Sequence, residues 1–483
     1  MAEEELNYKK LKFKSGLEIH QQLDTNKLFC NCASVLRNDE PDLIVTRKLH
    51  AVPGEKGEVD VAAQYQASLK KEFIYEFYKD NNCLVELDEE PPHMINPEAL
   101  KIALQVAFLL NCNLIPLTQI MRKTVIDGSN TSGFQRTVLI ARDGFIETNY
   151  GKVKIDTICL EEDSARKVKS ENNQIYFRLD RLGIPLIEIA TAPDIKSPEQ
   201  AKETALHIGD ILRSCKVKRG IGTIRQDVNV SILNGNRIEM KGMQDMKTFV
   251  KTIENEILRQ KKLFDSGKPT KAEVRNALSS GLTEFIRPMP GADRMYPETD
   301  LPLLKISRDL INEVKKNLPK LREETEKELK QTGANEEMIK LLLKENKVEE
   351  FKNLLNIYKN PNLIAKMILL FPKEIASKTG KSLENIKKIL EEFYGDILIA
   401  LNKKKISESD IKEILTKIIS GGSFENAIKI EKTDIANIEE KIMNLIRKKP
   451  GLNVNAYMGL IMKEFHGKID GKEVMEIIKK FVK

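Results

Sequence analysis

Pro185-Leu186-Ile187-Glu188-Ile189-Ala190 reads as a buried strand with a single acid inside it. The leucine, isoleucines and alanine around Glu188 leave the segment little solvent face, so its carboxylate needs a cation to offset desolvation. Other strand-like segments share the oddity. In Gly16-Leu17-Glu18-Ile19-His20, period-two alternation sets Glu18 and His20 on one face and Leu17 and Ile19 on the other. Glu161, Glu162 and Asp163 end the run that begins at Cys159. Arg225, Asp227, Asn229 and Ser231 share a face opposite Val228 and Val230, and Arg237, Glu239 and Lys241 line one face of the next segment. A lone acid in a strand is ordinarily a solvated residue on an open face. Several acids and one imidazole converging on one side of a sheet would instead make a hard-ligand site suited to Mg²⁺, an ion that bridges carboxylates and nucleotide phosphates.

Outward from these segments, strand-like alternation and glycine-rich turns fill the first 300 residues, and Lys/Glu/Ile/Leu helical patterns take over from about Leu301. The expected fold is α+β. A cradle domain with a mixed or antiparallel sheet spans 1–303, an all-α helical domain spans 304–432, and a small helical tail spans 433–483. Apolar residues three and four apart mark amphipathic helices over 307–329, 335–355 and 382–401. Ser420-Gly421-Gly422 is read as a break before the tail. Ser197-Pro198-Glu199-Gln200 opens a helix running to about Leu212, with a cap serine, proline at the first helical position and a capping-box glutamine.

With 483 residues the chain is too long for one core. Its 41% hydrophobic and 31% charged residues are ordinary for a soluble globular protein. No apolar run is long enough to span a bilayer, and MAEEELNYKK resembles neither a signal nor a transit peptide, so a cytoplasmic protein without a membrane partner is expected. Residues 1–300 carry a net charge of −1 and residues 301–483 one of +8, which suggests chemistry in front and polyanion binding behind. Cys30 and Cys32 are the only close pair among six cysteines; a zinc site needs a second pair, none is visible, and reduced thiols are expected.

The chain has no GxxxxGK[ST] phosphate loop. Gly380-Lys381-Ser382 looks like its end, but Ile375 stands where the first glycine is required, and the segment reads as a helix boundary. There is no HExxH, no GxSxG elbow and no obvious glutaminase nucleophile. A nucleotide would therefore be held by carboxylate-bound metal and a sheet surface. Residues 121–136 join basic residues to a Gly-Ser-Asn-Thr loop, which is either a surface turn or a cradle of backbone amides. Residues 288–300, rich in proline, form a stiff linker or a site wall.

GLEIHQQLDTNKLFCNC (16–32), MRKTVIDGSNTSGFQRT (121–137), CLEEDSAR (159–166), LDRLGIPLIEIATAPDI (179–195), RGIGTIRQDVNVSI (219–232) and RPMPGADRMYPETD (287–300) resemble the GatB/GatE family, and within it the archaeal E type. The likeness covers the front domain almost continuously and reaches the tail at 459–480. It implies a cradle similar to glutamine synthetase, a YqeY-like tRNA-binding tail, and a carbon–nitrogen ligase that amidates glutamyl-tRNA(Gln). ATP would phosphorylate the tRNA-bound glutamate with Mg²⁺ as cofactor, and ammonia would displace the phosphate. The ammonia would come from an asparaginase-like partner protein, GatD, in a heterodimer or a dimer of heterodimers. Carried over, Glu18, His20, Glu162, Glu188 and Glu239 fall on the family's metal-site residues, with His20, Glu162 and Glu188 in one cluster and Glu18 and Glu239 in the next. Glu161 replaces Glu162 if the register slips by one. Arg225, Asp227, Lys123 and Ser129 are the expected nucleotide or phosphate contacts. The usual insertion resembling part of aspartyl-tRNA synthetase is missing ahead of Arg287. Alternatives are a B-type protein acting also on aspartyl-tRNA, a tRNA-binding scaffold without catalysis, and a free-standing ligase, against which the basic tail argues.

Overall fold

The computed structural model describes residues 6–53, 57–268, 270–289, 294–345, 347–428, 435–465 and 471–481. The chain forms two compact units, the first running to Arg322 and the second starting at Glu323. It is a mixed α/β protein whose described strands all lie in the first unit.

The first unit is built on an eleven-stranded sheet. In spatial order its strands are Thr283–Pro288, Glu273–Ala277, Ile238–Lys241, Ile224–Ser231, Lys14–Gln22, Pro185–Thr191, Gly151–Glu162, Phe134–Thr148, Ile120–Thr124 and Met295–Pro297, with Asn113–Leu114 pairing beside Phe134–Thr148. Every pairing is antiparallel except that of Ile238–Lys241 with Glu273–Ala277. Alternation decides the two faces. Leu17, Ile19, Ile187, Ile189, Val228 and Val230 are all buried in the main core. The helices Pro97–Leu109, Pro198–Ser214 and Phe249–Asp265 contribute to that core. The alternate residues, among them Glu18, His20, Glu188 and Asp227, project from the opposite face. A separate sheet of Leu43–Arg47, Glu72–Phe77, Gln174–Arg178 and Arg166–Glu171 has its own core around Phe73, Tyr75 and Phe177.

The helix that starts after Ser197 runs over Pro198–Ser214, with the serine hydroxyl accepting from Gln200 N. The Gln200 carboxamide reaches back one residue further than a capping box requires, to Lys196 N at 2.8 Å. The chain stays with the first unit beyond residue 303. Leu304–Lys305 pairs with Leu117–Thr118, and Ile306 and Val314 join the main core, Val314 through the helix Arg308–Lys316.

Each of the three long helices expected beyond residue 306 is two short ones. Arg308–Lys316 and Arg322–Gln331 replace the first, Pro319 having no N–H to continue the ladder. Glu336–Lys344 and Val348–Ile357 replace the second, and Leu383–Glu391 and Tyr394–Asn402 the third. Gly380 ends Phe371–Thr379 in the left-handed conformation at φ 67°, as a helix boundary requires. Gly421, at φ 95°, sits at the break after Ile411–Ile419. The helices of the second unit before residue 428 share one core, and those of 435–481 share another around Ile442, Tyr457, Ile461 and Ile478. No described helix is long and apolar enough to cross a membrane.

Candidate active site

The polar face of the large sheet lines a cavity of about 640 Å³ that gathers two acidic centres. Strand register builds the first. His20 stands opposite Glu188 on the neighbouring strand, and Glu161, one strand further, stands opposite Leu186, two residues from Glu188 on the same face. His20 Nε2 lies 3.3 Å from Glu188 Oε2. One ligand atom from each of His20, Glu161 and Glu188 falls within 4.8 Å of the others. Lys123 Nζ joins them, 2.6 Å from Glu161 Oε1 and 3.6 Å from Glu188 Oε2. The Thr137 hydroxyl also donates to Glu161 at 2.7 Å. Burial raises the Glu161 carboxyl, and the charge of Glu188 adds to it. Burial acts on Glu188 as well, but Lys123 and the hydrogen bond to His20 outweigh it and hold that carboxyl well below the ordinary range. Burial opposes protonation of His20, yet Glu188, Glu161 and Asp227 raise the imidazole.

The second centre sits two residues along the same strand, roughly 7 Å away by strand geometry. Glu18 faces Asp227, and Asn229 faces Glu239 on the next strand. Glu18, Asp227 and Glu239 again bring one oxygen each within 4.8 Å. Lys241 Nζ bridges Asp227 Oδ2 at 2.5 Å and Glu239 Oε1 at 2.7 Å. Asn229 Nδ2 donates to Glu18 Oε1 at 3.0 Å, while its own buried Oδ1 has no partner among the described residues. Burial and the charges of Glu239 and Glu188 raise Glu18. Glu239 is lowered: burial opposes, and Lys241, Arg287 and Arg294 prevail.

These donor sets fit hard divalent cations. Five carboxylates and one imidazole supply the ligand types such ions take, and an orphaned amide oxygen stands beside the second set. In the protein alone, one lysine per centre offsets part of the acids' charge.

Not every expected residue joins. Glu162 is turned away, because neighbours in a strand point to opposite faces. It accepts from Arg136 N at 3.2 Å and lies 3.4 Å from Arg136 Nη1, so Glu161 is the acid beside His20. Arg136 in turn bonds the fully buried Glu298, which Arg122 also holds. Asp227, expected as a phosphate contact, is an acid of the second centre; a carboxylate meets a phosphate only through a cation. Lys123, expected at a phosphate, is spent on Glu161 and Glu188. Arg225 is paired with the buried Asp163 at 2.7 Å. Ser129 lines the cavity, but its hydroxyl and backbone N–H both bond Asp127 Oδ1, at 2.6 and 3.0 Å. The Gly-Ser-Asn-Thr loop is tied to the fold around it: Gly128 O accepts from the Tyr75 hydroxyl, Ser129 O from Ala165 N and Asn130 Oδ1 from the Ser164 hydroxyl, while the Thr131 hydroxyl donates to Glu86 O. Residues 290–293 of the proline-rich segment and 466–470 of the tail motif lie outside the described residues.

Sequence reading missed Lys241 as the bridging cation, although its face with Glu239 was legible. It also missed the surroundings of Cys30 and Cys32. Cys83 and Glu86, far along the chain, come within 4.8 Å of both, and buried Lys27 lies 3.3 Å from Glu86. The second pair is Cys83 and an acid three residues on, which a search for paired cysteines does not find.

Residues 13–312 match the model of the GatB/GatE catalytic domain. The E-type glutamyl-tRNA(Gln) amidotransferase protein of Methanocaldococcus jannaschii is 37% identical, with 99% of this chain and 100% of that protein covered. The protein of the same name from a strain of Methanococcus maripaludis is 45% identical, and that of Saccharolobus solfataricus 34%, each with 99% of both chains covered. These alignments run over 636, 625 and 634 positions against 483 residues here, so part of the relatives' length has no counterpart in this chain. The chain belongs to the GatB/GatE family, among the E-type glutamyl-tRNA(Gln) amidotransferases.

Proposed function

We propose that the protein converts glutamyl-tRNA(Gln) to glutaminyl-tRNA(Gln) in two steps, phosphorylating the glutamate side chain with ATP and amidating the product with ammonia. The observation that carries this reading is the pair of three-ligand centres on neighbouring positions of one strand, facing one cavity. A carboxylate resists attack by ammonia because its charge repels the nucleophile and oxide is a poor leaving group. Transfer of the ATP γ-phosphoryl to a carboxylate oxygen gives a mixed anhydride from which phosphate departs when ammonia adds to the carbonyl carbon.

In this reading His20, Glu161 and Glu188 hold one Mg²⁺, and Glu18, Asp227 and Glu239 hold another. The ions would supply neutralising charge around the phosphoryl group in transfer. Thr137 and Gln135 fix the Glu161 carboxylate from behind, and Asn229 fixes Glu18, so the acids are oriented before any ligand arrives. His20 ligates through a neutral imidazole, which requires its proton to leave. Ammonia would come from an asparaginase-like partner protein in a heterodimeric assembly, and the tail from 433 onward would bind tRNA phosphates.

The test is ATP- and Mg²⁺-dependent formation of glutaminyl-tRNA(Gln) by the full chain with ammonium chloride as donor. Product with free ammonium, and its loss on Glu188→Ala with tRNA affinity retained, would support the reading. tRNA binding without ATP turnover, even with the partner protein present, would leave a binding scaffold.

A further inference from the structure

The cavity's positive groups divide into two kinds. Lys123, Lys241 and Arg225 are each committed to carboxylates, at 2.6, 2.5 and 2.7 Å. Arg237, Arg287 and Arg294 line the same cavity, and none of them makes an ion pair or side-chain hydrogen bond among the described residues. A guanidinium that borders a strongly acidic site and still finds no acid is available for a ligand's oxygens.

Their placement is coherent. Arg237 lies two residues before Glu239, on the same face by alternation. Val274 is register partner to Glu239 on one side and to Arg287 on the other, so Glu239 and Arg287 end one row across three strands. Arg294 comes from the far edge of the sheet. Its carbonyl accepts from Thr124 N at 2.8 Å, next to Lys123, and its neighbour Met295 is the register partner of Lys123. It lines the cavity that holds both centres, and its charge acts on Lys123 of the first and on Glu239 of the second.

We propose that Arg237, Arg287 and Arg294 form a phosphate clamp over the two acidic centres, with Arg294 spanning them, and that the clamp holds the triphosphate of the nucleotide. The assignment rests on the ATP-dependent reading above. Three guanidiniums without an ion pair among the described residues call for a ligand with several negative oxygens, and the planar fork matches phosphate better than a single ammonium does. Cations held by the acids and arginines from the rim would then grip one polyphosphate from two sides. The 3′-end phosphates of the tRNA offer the same chemistry, so the experiment separates the two sources.

The experiment measures binding to the full chain in Mg²⁺ of a non-hydrolysable ATP analogue, of adenosine and of uncharged tRNA. Arg237→Gln, Arg287→Gln and Arg294→Gln should each weaken the analogue about tenfold or more while adenosine, tRNA and thermal stability stay as in the parent. Arg294→Lys should recover only part of the loss, since it keeps charge without the fork. Unchanged analogue binding in all three glutamine variants would overturn the clamp. Weaker tRNA with unchanged analogue binding would overturn the nucleotide assignment and give the arginines to the tRNA end. A parent chain that binds no analogue at all would instead sink the ATP-dependent reading, and the clamp with it.

Discussion

Glu161 and Glu162 are chain neighbours with opposite fates, and exchanging each for glutamine separates their roles. Glu161→Gln removes one of the two carboxylates beside His20 and leaves Lys123 with Glu188 at 3.6 Å as its remaining carboxylate. Loss of a group that merely orients a ligand already costs metal sites about 10–100-fold, so losing a ligand should weaken Mn²⁺ binding at this centre by roughly 100-fold or more. Glu162→Gln removes a buried charge from Arg136, but Arg136 keeps Glu298 at 2.8 Å, and the new amide oxygen can still accept from Arg136 N. No cation is orphaned, so the cost falls below the roughly 3–5 kcal/mol of a broken buried pair, at about 1–2 kcal/mol. In a unit of this size that is a drop of about 1.5–3 °C in Tm. Mn²⁺ titration followed by electron paramagnetic resonance, with thermal unfolding of the same samples, reads both quantities. If Glu162→Gln lost Mn²⁺ while Glu161→Gln retained it, the register argument would be refuted.

Other consequences follow from residues around the site. Glu298 is fully buried and held by Arg122 and Arg136, which keep only the longer contacts to Asp300 at 3.2 Å and Glu162 at 3.4 Å without it, so Glu298→Gln should cost about 2–3 kcal/mol, seen as a lower urea midpoint for the first unit. Its carboxyl is lowered despite burial, so it contributes stability above the ordinary value of about 4.5 that is lost as pH falls through the depressed one. The variant's stability should therefore fall less steeply in acid, and parallel acid limbs would contradict this. Gly128 has φ +87°, and a Cβ there would lie 2.1 Å from the Phe73 ring, so Gly128→Ala should destabilise the protein by about 2–3 kcal/mol. An unshifted Tm would show that the loop relaxes. Cys32 is held down to about 4 by hydrogen bonds from Cys30 and Cys83, whereas burial pushes Cys112 and Cys215 up to about 12. Alkylation at pH 6 of chain stripped with chelator, mapped by mass spectrometry, should label Cys32 first, and labelling spread evenly over the cysteines would count against a stabilised thiolate.

Much of the site was legible without coordinates because a strand imposes a two-residue period. Glu18 with His20, and Glu239 with Lys241, share faces by that rule alone, and the flanking aliphatics show which face is buried. Glu188 stood out because hydrophobic neighbours make an unpaired carboxylate costly. Family motifs added which acids belong to which centre, and there the one-residue ambiguity between Glu161 and Glu162 persisted, since both fit the pattern C-L-E-E-D.

What strand order alone decides is which faces meet. The pairing of Lys14–Gln22 with Pro185–Thr191 on one side and Ile224–Ser231 on the other brings His20 to Glu188, 168 residues along the chain, and Glu18 to the still more distant Asp227. The same holds for Cys83 and Glu86 beside Cys30, and for Arg294, which reaches the site from beside the far edge strand. Local pattern is set by covalent geometry within a few residues and survives in the one-dimensional chain. Contacts between distant segments depend on how the hydrophobic faces find one shared core, and only the folded sheet records that choice.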